Sequence, residues 1–450
     1  MELDADACYR ALLTRDARFD GRFFTGVKTT GVYCRPICPA RTPYRKNCAF
    51  FGCAAAAQEA GFRPCLRCRP EIAPNSPAWN GTSATVSKAL RLIAEGALDD
   101  GLVDRLAGRV GVGERQLRRL FNEHVGASPL TVASAQRILF AKKLLIETAL
   151  PITDIAFAAG YSSVRRFNHV VRDAYQRSPR ELRGRKLPST TAIMLTLPFR
   201  PPYNWNALVR FLRPRAIPGV EQVTENSYAR TIRIDGVPGR VEVTPVPGAS
   251  HLLARIELQN LRPLARVADR LRRIFDTGAP IEDIESQLKP LIKADPGVRV
   301  PGAWDVFELT VRAILGQQVT VKGATTLSGR LVEKFGETSE HGRHFPLPET
   351  MARADLASIG LPRARAHSLQ SVAEAFASNT PPDNPDELRK LPGIGEWTAQ
   401  YIAMRAFNEP DAFPATDLGL LKAAGKDVAK KAEQWRPWRA YAAMHLWLNL

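Results

Sequence analysis

The chain has 450 residues, 45% hydrophobic and 24% charged, with 63 Lys and Arg against 45 Asp and Glu for a net charge of +18. These values exclude a disordered chain, a collagen-like repeat and a membrane-embedded bundle, and the length is that of several domains. A basic surplus of this size calls for a polyanionic partner, nucleic acid before an acidic membrane surface.

The first residues, Met1-Glu2-Leu3-Asp4-Ala5-Asp6, are acidic and lead into no long apolar run, so neither a secretory signal nor a membrane span is expected and the location is cytoplasmic. All seven cysteines lie within the first 68 residues. In a reducing cytosol such clustering serves metal binding or catalysis rather than disulfides. Cys34 and Cys38 form one close pair, Cys65 and Cys68 another, and 26 residues separate the pairs. This spacing predicts a four-thiolate tetrahedral zinc site closing a small domain over 1–74, with the less well paired Cys48 and Cys53 as alternative ligands. Spacing alone favours a site that only holds a fold.

Pro-, Gly- and Ser-rich stretches at 70–83 and 177–190 predict linkers. Between them helix-period apolar positions predict an all-α domain over 82–187. A helix containing Leu106 and Ala107, the turn Gly111-Val112-Gly113 and a second helix from Glu114 form a helix-turn-helix. The pattern recurs at 152–175 around the turn Gly160-Tyr161-Ser162-Ser163. Alternation at 229–234 and 241–244, a hairpin at Asp235-Gly236 and a helix at 264–275 predict a small α+β unit over 191–300. The helix period then returns, predicting an all-α unit over 301–450. Within it Leu388, Leu391, Gly393-Ile394-Gly395, Ala399 and Ile402 fit two helices joined by a hairpin whose glycines let backbone N–H groups approach a DNA phosphate. Asp417, three residues after Pro414, is either a helix N-cap or a reacting carboxylate.

Lys28-Thr29-Thr30-Gly31-Val32-Tyr33-Cys34-Arg35-Pro36 and Gly61-Phe62-Arg63-Pro64-Cys65-Leu66-Arg67-Cys68-Arg69-Pro70 closely resemble the N-terminal domain of the Ada family of the bacterial adaptive response to alkylation. The resemblance covers roughly residues 5–72. It implies that Cys34, Cys38, Cys65 and Cys68 hold Zn(II), and that Cys34 irreversibly takes a methyl group from an Sp methylphosphotriester in DNA. It also places Thr30, Arg41 and Arg67 at the DNA-facing surface. The thiolate is the nucleophilic form, and zinc keeps it ionised. Methylating one sulfur removes a negative charge from the site, so DNA binding is expected to tighten.

Residues 84–183, closing on Tyr175-Gln176-Arg177-Ser178-Pro179-Arg180-Glu181-Leu182, resemble the AraC-type DNA-binding domain. This implies recognition helices at 114–123 and 162–173 in adjacent major grooves, with Arg115, Gln116, Arg165 and Asn168 as base-edge candidates. His169 faces phosphate, solvent or a base.

Residues 191–450 resemble the AlkA-type 3-methyladenine DNA glycosylase II. The match is carried by Pro201-Pro202-Tyr203-Asn204-Trp205, Val311-Arg312-Ala313-Ile314-Leu315-Gly316-Gln317-Gln318, Phe413-Pro414-Ala415-Thr416-Asp417 and Trp435-Arg436-Pro437-Trp438. The resemblance implies that an alkylated base is flipped out and that Asp417 stabilises positive charge on the sugar as the N-glycosidic bond breaks. Phe211, Trp397, Tyr401, Trp447 and Leu418 would surround an aromatic pocket suited to a cationic base, and Gln318, Gly393 and Gly395 would meet DNA. Trp435 and Trp438 are read as helix packing. Trp397 stands where bifunctional relatives carry a lysine nucleophile, so a monofunctional enzyme is expected. Lack of any cysteine after Cys68 excludes an iron–sulfur cluster, and no cofactor is expected for this half. Gln318 departs from a leucine wedge, and Leu418 replaces an aromatic. The O6-alkylguanine transferase that ends the full Ada protein, with its Pro-Cys-His-Arg site, has no counterpart here.

The expected fold is therefore a multi-domain α+β chain: a small zinc domain, an all-α double helix-turn-helix domain, a small α+β (TBP-like) domain and an all-α helix-hairpin-helix glycosylase domain. The expected function is repair of and response to DNA alkylation, by a monofunctional glycosylase fused to a methyl-accepting transcriptional regulator. Expected partners are alkylated and promoter double-stranded DNA and RNA polymerase, with no membrane, in a nucleoid-associated monomer. Two rivals stand: a transcription factor with a catalytically silent glycosylase-like scaffold, and a repair enzyme whose front half only delivers it to damage.

Overall fold

The computed structural model describes residues 3–74, 84–183, 192–292, 296–378 and 380–449. Helix α1 (Ala5–Thr14) begins where the Asp4 carboxylate accepts from the N–H groups of Asp6 at 2.9 Å and Ala7 at 3.1 Å. Strands β1 (Phe24–Val27), β2 (Val32–Cys34), β3 (Cys48–Phe51) and β4 (Arg63–Pro64) form a sheet in the order β3-β1-β2-β4, with α2 (Ala54–Glu59) between the last two in sequence. β1 is antiparallel to both neighbours and β2 is parallel to β4. Gly26 on β1 is required by close approach: a Cβ there would lie 2.8 Å from the Phe51 ring and 2.9 Å from Phe62.

The helical region contains α3 (Ala84–Ala94), α4 (Val103–Val110), α5 (Glu114–His124), α6 (Pro129–Glu147), α7 (Ile152–Ala158), α8 (Val164–Tyr175) and α9 (Pro179–Arg183). Helix α5 buries Leu117 and Phe121, and α8 buries Phe167, Val171 and Tyr175, at four-residue spacings. Both expected turns form, and both need a left-handed residue, supplied by Gly111 at φ 80° and Gly160 at φ 83°.

The two expected linkers are shorter than the composition suggests. Pro70–Ile72 is a 3-10 turn whose buried Glu71 accepts from Lys142 of α6 at 2.8 Å and Arg69 at 3.1 Å. At the other linker Ser178 and Glu181 cap each other's backbone N–H groups, at 2.6 and 3.4 Å, and so start α9. The remaining parts, 75–83 and 184–190, lie outside the described residues.

Strands β5 (Ile193–Pro198), β6 (Glu221–Val223), β7 (Tyr228–Ile234), β8 (Val237–Pro245) and β9 (His251–Leu258) make an antiparallel sheet in the order β5-β9-β8-β7-β6. Asp235 and Gly236, at φ 49° and 75°, form the expected two-residue hairpin. Helix α10 (Trp205–Leu212) follows β5, and α11 (Leu264–Ile274) and α12 (Ile281–Leu288) follow β9. The rest is α13 (Val306–Leu315), α14 (Val321–Phe335), a small hairpin of β10 (Thr338–Ser339) and β11 (Gly342–Arg343), then α15 (Pro348–Ala352), α16 (Arg363–Ala377), α17 (Pro385–Leu388), α18 (Glu396–Arg405), α19 (Leu418–Ala424), α20 (Val428–Ala432) and α21 (Arg439–Leu448).

One apolar core runs from Ile138 of α6 through the β5–β9 sheet and α11 to α21, and a second spans α13 to α18. Thus α21 packs on the sheet unit, facing α10, while α18 bridges the cores, with Ala403 and Met404 in the first and Ala399 and Ile402 in the second. Functional residues from both cores meet at their junction.

A buried carboxylate pins α21 to this core. The Tyr441 hydroxyl donates to Asp276 Oδ2 at 2.8 Å, and the Val300 N–H lies 3.3 Å from the same oxygen. Burial pushes the Asp276 carboxyl up to about 6. The native state therefore holds this proton more tightly than the unfolded chain. The stabilisation is full below the ordinary carboxylate value and is lost as pH rises through 6. Asp276→Asn keeps an acceptor for Tyr441 without the ionisation. It is expected to remove roughly 2–3 kcal/mol of the stability loss between pH 4 and 8. Thermal midpoints of both proteins across that range test this, and parallel pH profiles would count against it.

Candidate functional site

Asp417 caps α19, its Oδ1 accepting from the Leu420 N–H at 3.1 Å and from Trp447 Nε1 at 2.8 Å. Its Oδ2 accepts from Trp397 Nε1 at 3.0 Å. Cap and candidate reacting group are thus one residue. Trp397 and Tyr401, one turn apart on α18, stack with ring centroids 5.3 Å apart and planes 8° apart. Trp447 meets Tyr401 edge-on at 6.3 Å and Phe211 at 6.0 Å. The four predicted aromatics therefore converge beside the carboxylate, whereas Leu418 does not join them: it is 83% exposed. Trp435 and Trp438 are buried against Phe413 and Tyr441, as expected of packing residues.

Two arginines behind the aromatics escaped the sequence reading. Arg405 Nη1 donates to the Tyr401 hydroxyl at 2.7 Å, with its Cζ 5.0 Å from the Phe211 centroid, and the Arg215 Cζ lies 3.9 Å from the same centroid. Burial pushes the Tyr401 phenol up, but Arg405 and Arg215 more than offset it and leave it below the ordinary phenol value. The local signals were two four-residue spacings, Phe211 to Arg215 and Tyr401 to Arg405.

The hairpin and the α13–α14 loop adjoin this site. Gln317 Nε2 donates to the Gly393 carbonyl at 2.8 Å and lies 3.0 Å from Thr398 Oγ1. Gly393 is left-handed at φ 82°, and Gly395 is the exposed N-cap of α18. Gln318 is exposed with φ 58°.

In the front domain the sulfurs of Cys34, Cys38, Cys65 and Cys68 all lie within 4.8 Å of one another and are buried. Zn–S bonds of about 2.3 Å in a tetrahedron put sulfurs about 3.8 Å apart, so the set fits Zn(II) in number, spacing and donor type. Hydrogen bonds among the four thiols raise Cys34 and lower Cys65, and a bound zinc ion would hold all four as thiolates. Exposure does not single out Cys34. Arg35 donates its N–H to Cys68 Sγ at 3.3 Å, and its buried guanidinium pairs with Asp20. The alternative ligands are elsewhere: Cys53 Sγ caps α2, and Cys48 Sγ lies 3.4 Å from the Tyr44 carbonyl. Burial raises both thiols.

Thr30 in the β1–β2 turn, Arg41 after Cys38 and Arg67 between Cys65 and Cys68 are exposed. Arg115 and Gln116 are exposed on the first turn of α5 and Arg165 on that of α8, while Asn168 is half-buried and His169 exposed. No helix among the described residues is long and apolar enough to cross a membrane.

Four family matches cover these regions: the metal binding domain of Ada over 7–71, a helix-turn-helix domain over 106–185, the AlkA N-terminal domain over 194–305 and the HhH-GPD superfamily base excision DNA repair protein over 311–436. The whole chain is 41% identical to the probable bifunctional transcriptional activator/DNA repair enzyme AlkA of Mycobacterium tuberculosis (strain ATCC 25618 / H37Rv), covering 97% of that protein. It is also similar to DNA-3-methyladenine glycosylase 2 of Escherichia coli (strain K12), 35% identical over 56% of this chain and 96% of that protein. Similarity to the bifunctional transcriptional activator/DNA repair enzyme Ada of the same organism is 36% over 30% of this chain and 37% of that protein.

Proposed function

Since the chain belongs to the family of AlkA-type bifunctional transcriptional activator/DNA repair enzymes, we propose that it both repairs alkylated double-stranded DNA and reports the damage to transcription. The repair activity is that of a DNA glycosylase. The observation that carries this reading is the Asp417 carboxylate, held by three N–H donors beside converging aromatics. A carboxylate offers about four lone-pair positions, so the donors fix its orientation and leave one to face substrate. With an alkylated purine flipped into the aromatic site, the C1′–N bond breaks with its electron pair leaving on the base. Asp417 stabilises the cationic sugar, and water adds at C1′ with loss of a proton to leave an abasic site. Trp397 offers no amine for a Schiff base, so the strand stays intact.

The front domain takes Zn(II) on Cys34, Cys38, Cys65 and Cys68. Bound there, the ion keeps the thiolates ionised at neutral pH. The Cys34 sulfur attacks the methyl carbon of a methylphosphotriester, and the C–O bond breaks with its pair passing to the phosphate oxygen. A thioether and an ordinary phosphodiester result. Thr30, Arg41 and Arg67 contact the DNA there, and Arg115, Gln116, Arg165 and Asn168 read promoter bases as the chain, a monomer, recruits RNA polymerase.

Incubating the full-length protein with methylated duplex DNA tests the core of this proposal. Release of free 3-methyladenine and accumulation of abasic sites without strand cleavage are expected. Failure to release any base would make the silent-scaffold reading the better one.

A further inference from the structure

Extruding a base leaves a gap in the stack, and proteins that open or bend DNA commonly fill such a gap with an apolar side chain. The loop from Gly316 to Thr320 is placed for this task. Gln317 fastens it to the hairpin through Gly393 and Thr398, and Arg365 Nη2 donates to the Gln317 carbonyl at 2.8 Å. Trp397, next to Thr398 on α18, reaches Asp417 at 3.0 Å. The loop is thus tied to the same hairpin that holds the reacting carboxylate.

Two exposed residues share the tip. Gln318 occupies a left-handed conformation at φ 58°, which costs a non-glycine residue energy and is found preferentially at functional sites. Val319 follows, 39% exposed, and Val321 on the first turn of α14 is equally exposed. Thr320 caps α14 through the Gly323 N–H at 3.1 Å, which makes Val319 the residue that ordinarily staples onto the helix. Here the stapling partner four residues past the cap is only Ala324, and Gly323, where a Cβ would lie 3.6 Å from the Val319 Cβ, has no side chain to offer. The contact is too small to cover the valine.

We infer that Val319, rather than Gln318, enters the duplex and fills the position vacated by the flipped base. The inference rests on the glycosylase reading above. A β-branched side chain on a fastened loop loses little rotamer freedom on insertion and has no polar group to desolvate. A glutamine must order three torsions and strip water from its amide, which opposes insertion between base pairs.

The test uses the full-length protein in single turnover with one 7-methylguanine placed in two duplexes. In one it lies opposite cytosine; in the other it sits in a single-nucleotide bulge, where flanking pairs stack across and no gap needs filling. Val319→Ala is expected to slow release about tenfold from the paired lesion and less than threefold from the bulge. Gln318→Ala is expected to affect both duplexes to the same extent, without a defect specific to the paired lesion. Equal losses in both duplexes, no loss in either, or a paired-lesion defect confined to Gln318→Ala would each overturn the assignment. A wild-type protein inactive on both duplexes would instead defeat the glycosylase reading. Fluorescence of 2-aminopurine beside an abasic site supplies a second readout without turnover: unstacking by wild type should be reduced by Val319→Ala, and an unchanged signal would overturn the inference.

Discussion

Replacing Asp417 by Asn is expected to slow base release about a thousandfold, the upper range for removing one preorganised group that stabilises transition-state charge. The substitution is nearly isosteric and keeps an oxygen to cap α19. It removes the negative charge opposite the developing sugar cation, and it changes the hydrogen-bond account as well. The wild-type carboxylate accepts from both indoles, Trp447 on Oδ1 and Trp397 on Oδ2. An amide NH2 cannot accept, so one indole loses its partner and the aromatic wall loosens. Single-turnover release from methylated duplex measures the loss, and affinity for an abasic duplex controls for DNA binding. Release within threefold of wild type would remove Asp417 from the chemistry. A matching fall in abasic-site affinity would make its role structural.

Features set by neighbours in sequence were legible in the chain itself. The paired cysteines, the Asp235-Gly236 hairpin and the left-handed glycines at 111 and 160 each solve a local backbone or ligand problem with a nearly unique residue choice. The start of α9 was legible too, through the Ser178 and Glu181 capping pair, but the surrounding Pro and Gly residues hid it inside a linker. Glu71 was harder still, because its partner Lys142 lies on α6, 71 residues away. The same limit applies at the site. Arg215 reaches Phe211, and Arg405 reaches Tyr401, from four residues along the same segment, but Arg405 meets Phe211 only once α10 and α18 pack together. Leu418 adjoins Asp417 in sequence yet points to solvent, because the N-cap geometry of α19 turns successive side chains to different faces.

Removing zinc is expected to have the largest effect on structure, and to confine it to the front of the chain. The apolar clusters around the front sheet are small: Phe24, Tyr33, Ala57 and Ala73 in one, Cys8, Ala11 and Phe23 in another. A domain of this size gains only a few kcal/mol from its core, whereas a structural zinc site contributes about 10–16 kcal/mol of binding free energy that becomes folding free energy. Anchors to the rest of the protein oppose unfolding. Arg200 donates to the Asp20 carbonyl at 3.0 Å, and Lys142 pairs with Glu71 at 2.8 Å. Further pairs join Arg22 to Asp283 at 2.8 Å and Arg18 to Glu282 at 2.9 Å nearer the surface; an exposed pair contributes under about 1 kcal/mol and a hydrogen bond about 1 kcal/mol net, so the set falls short of the metal. Chelation, or Cys38→Ala, should therefore expose residues 3–74 to protease, abolish methyl transfer and leave base release within threefold, since every group around Asp417 lies beyond residue 210. Cys34→Ala would remove the proposed acceptor as well as a ligand, so the Cys38 variant separates loss of the site from loss of the proposed nucleophile. Continued protease protection of the front sheet after verified zinc loss would show that the interdomain anchors, rather than the metal, hold it.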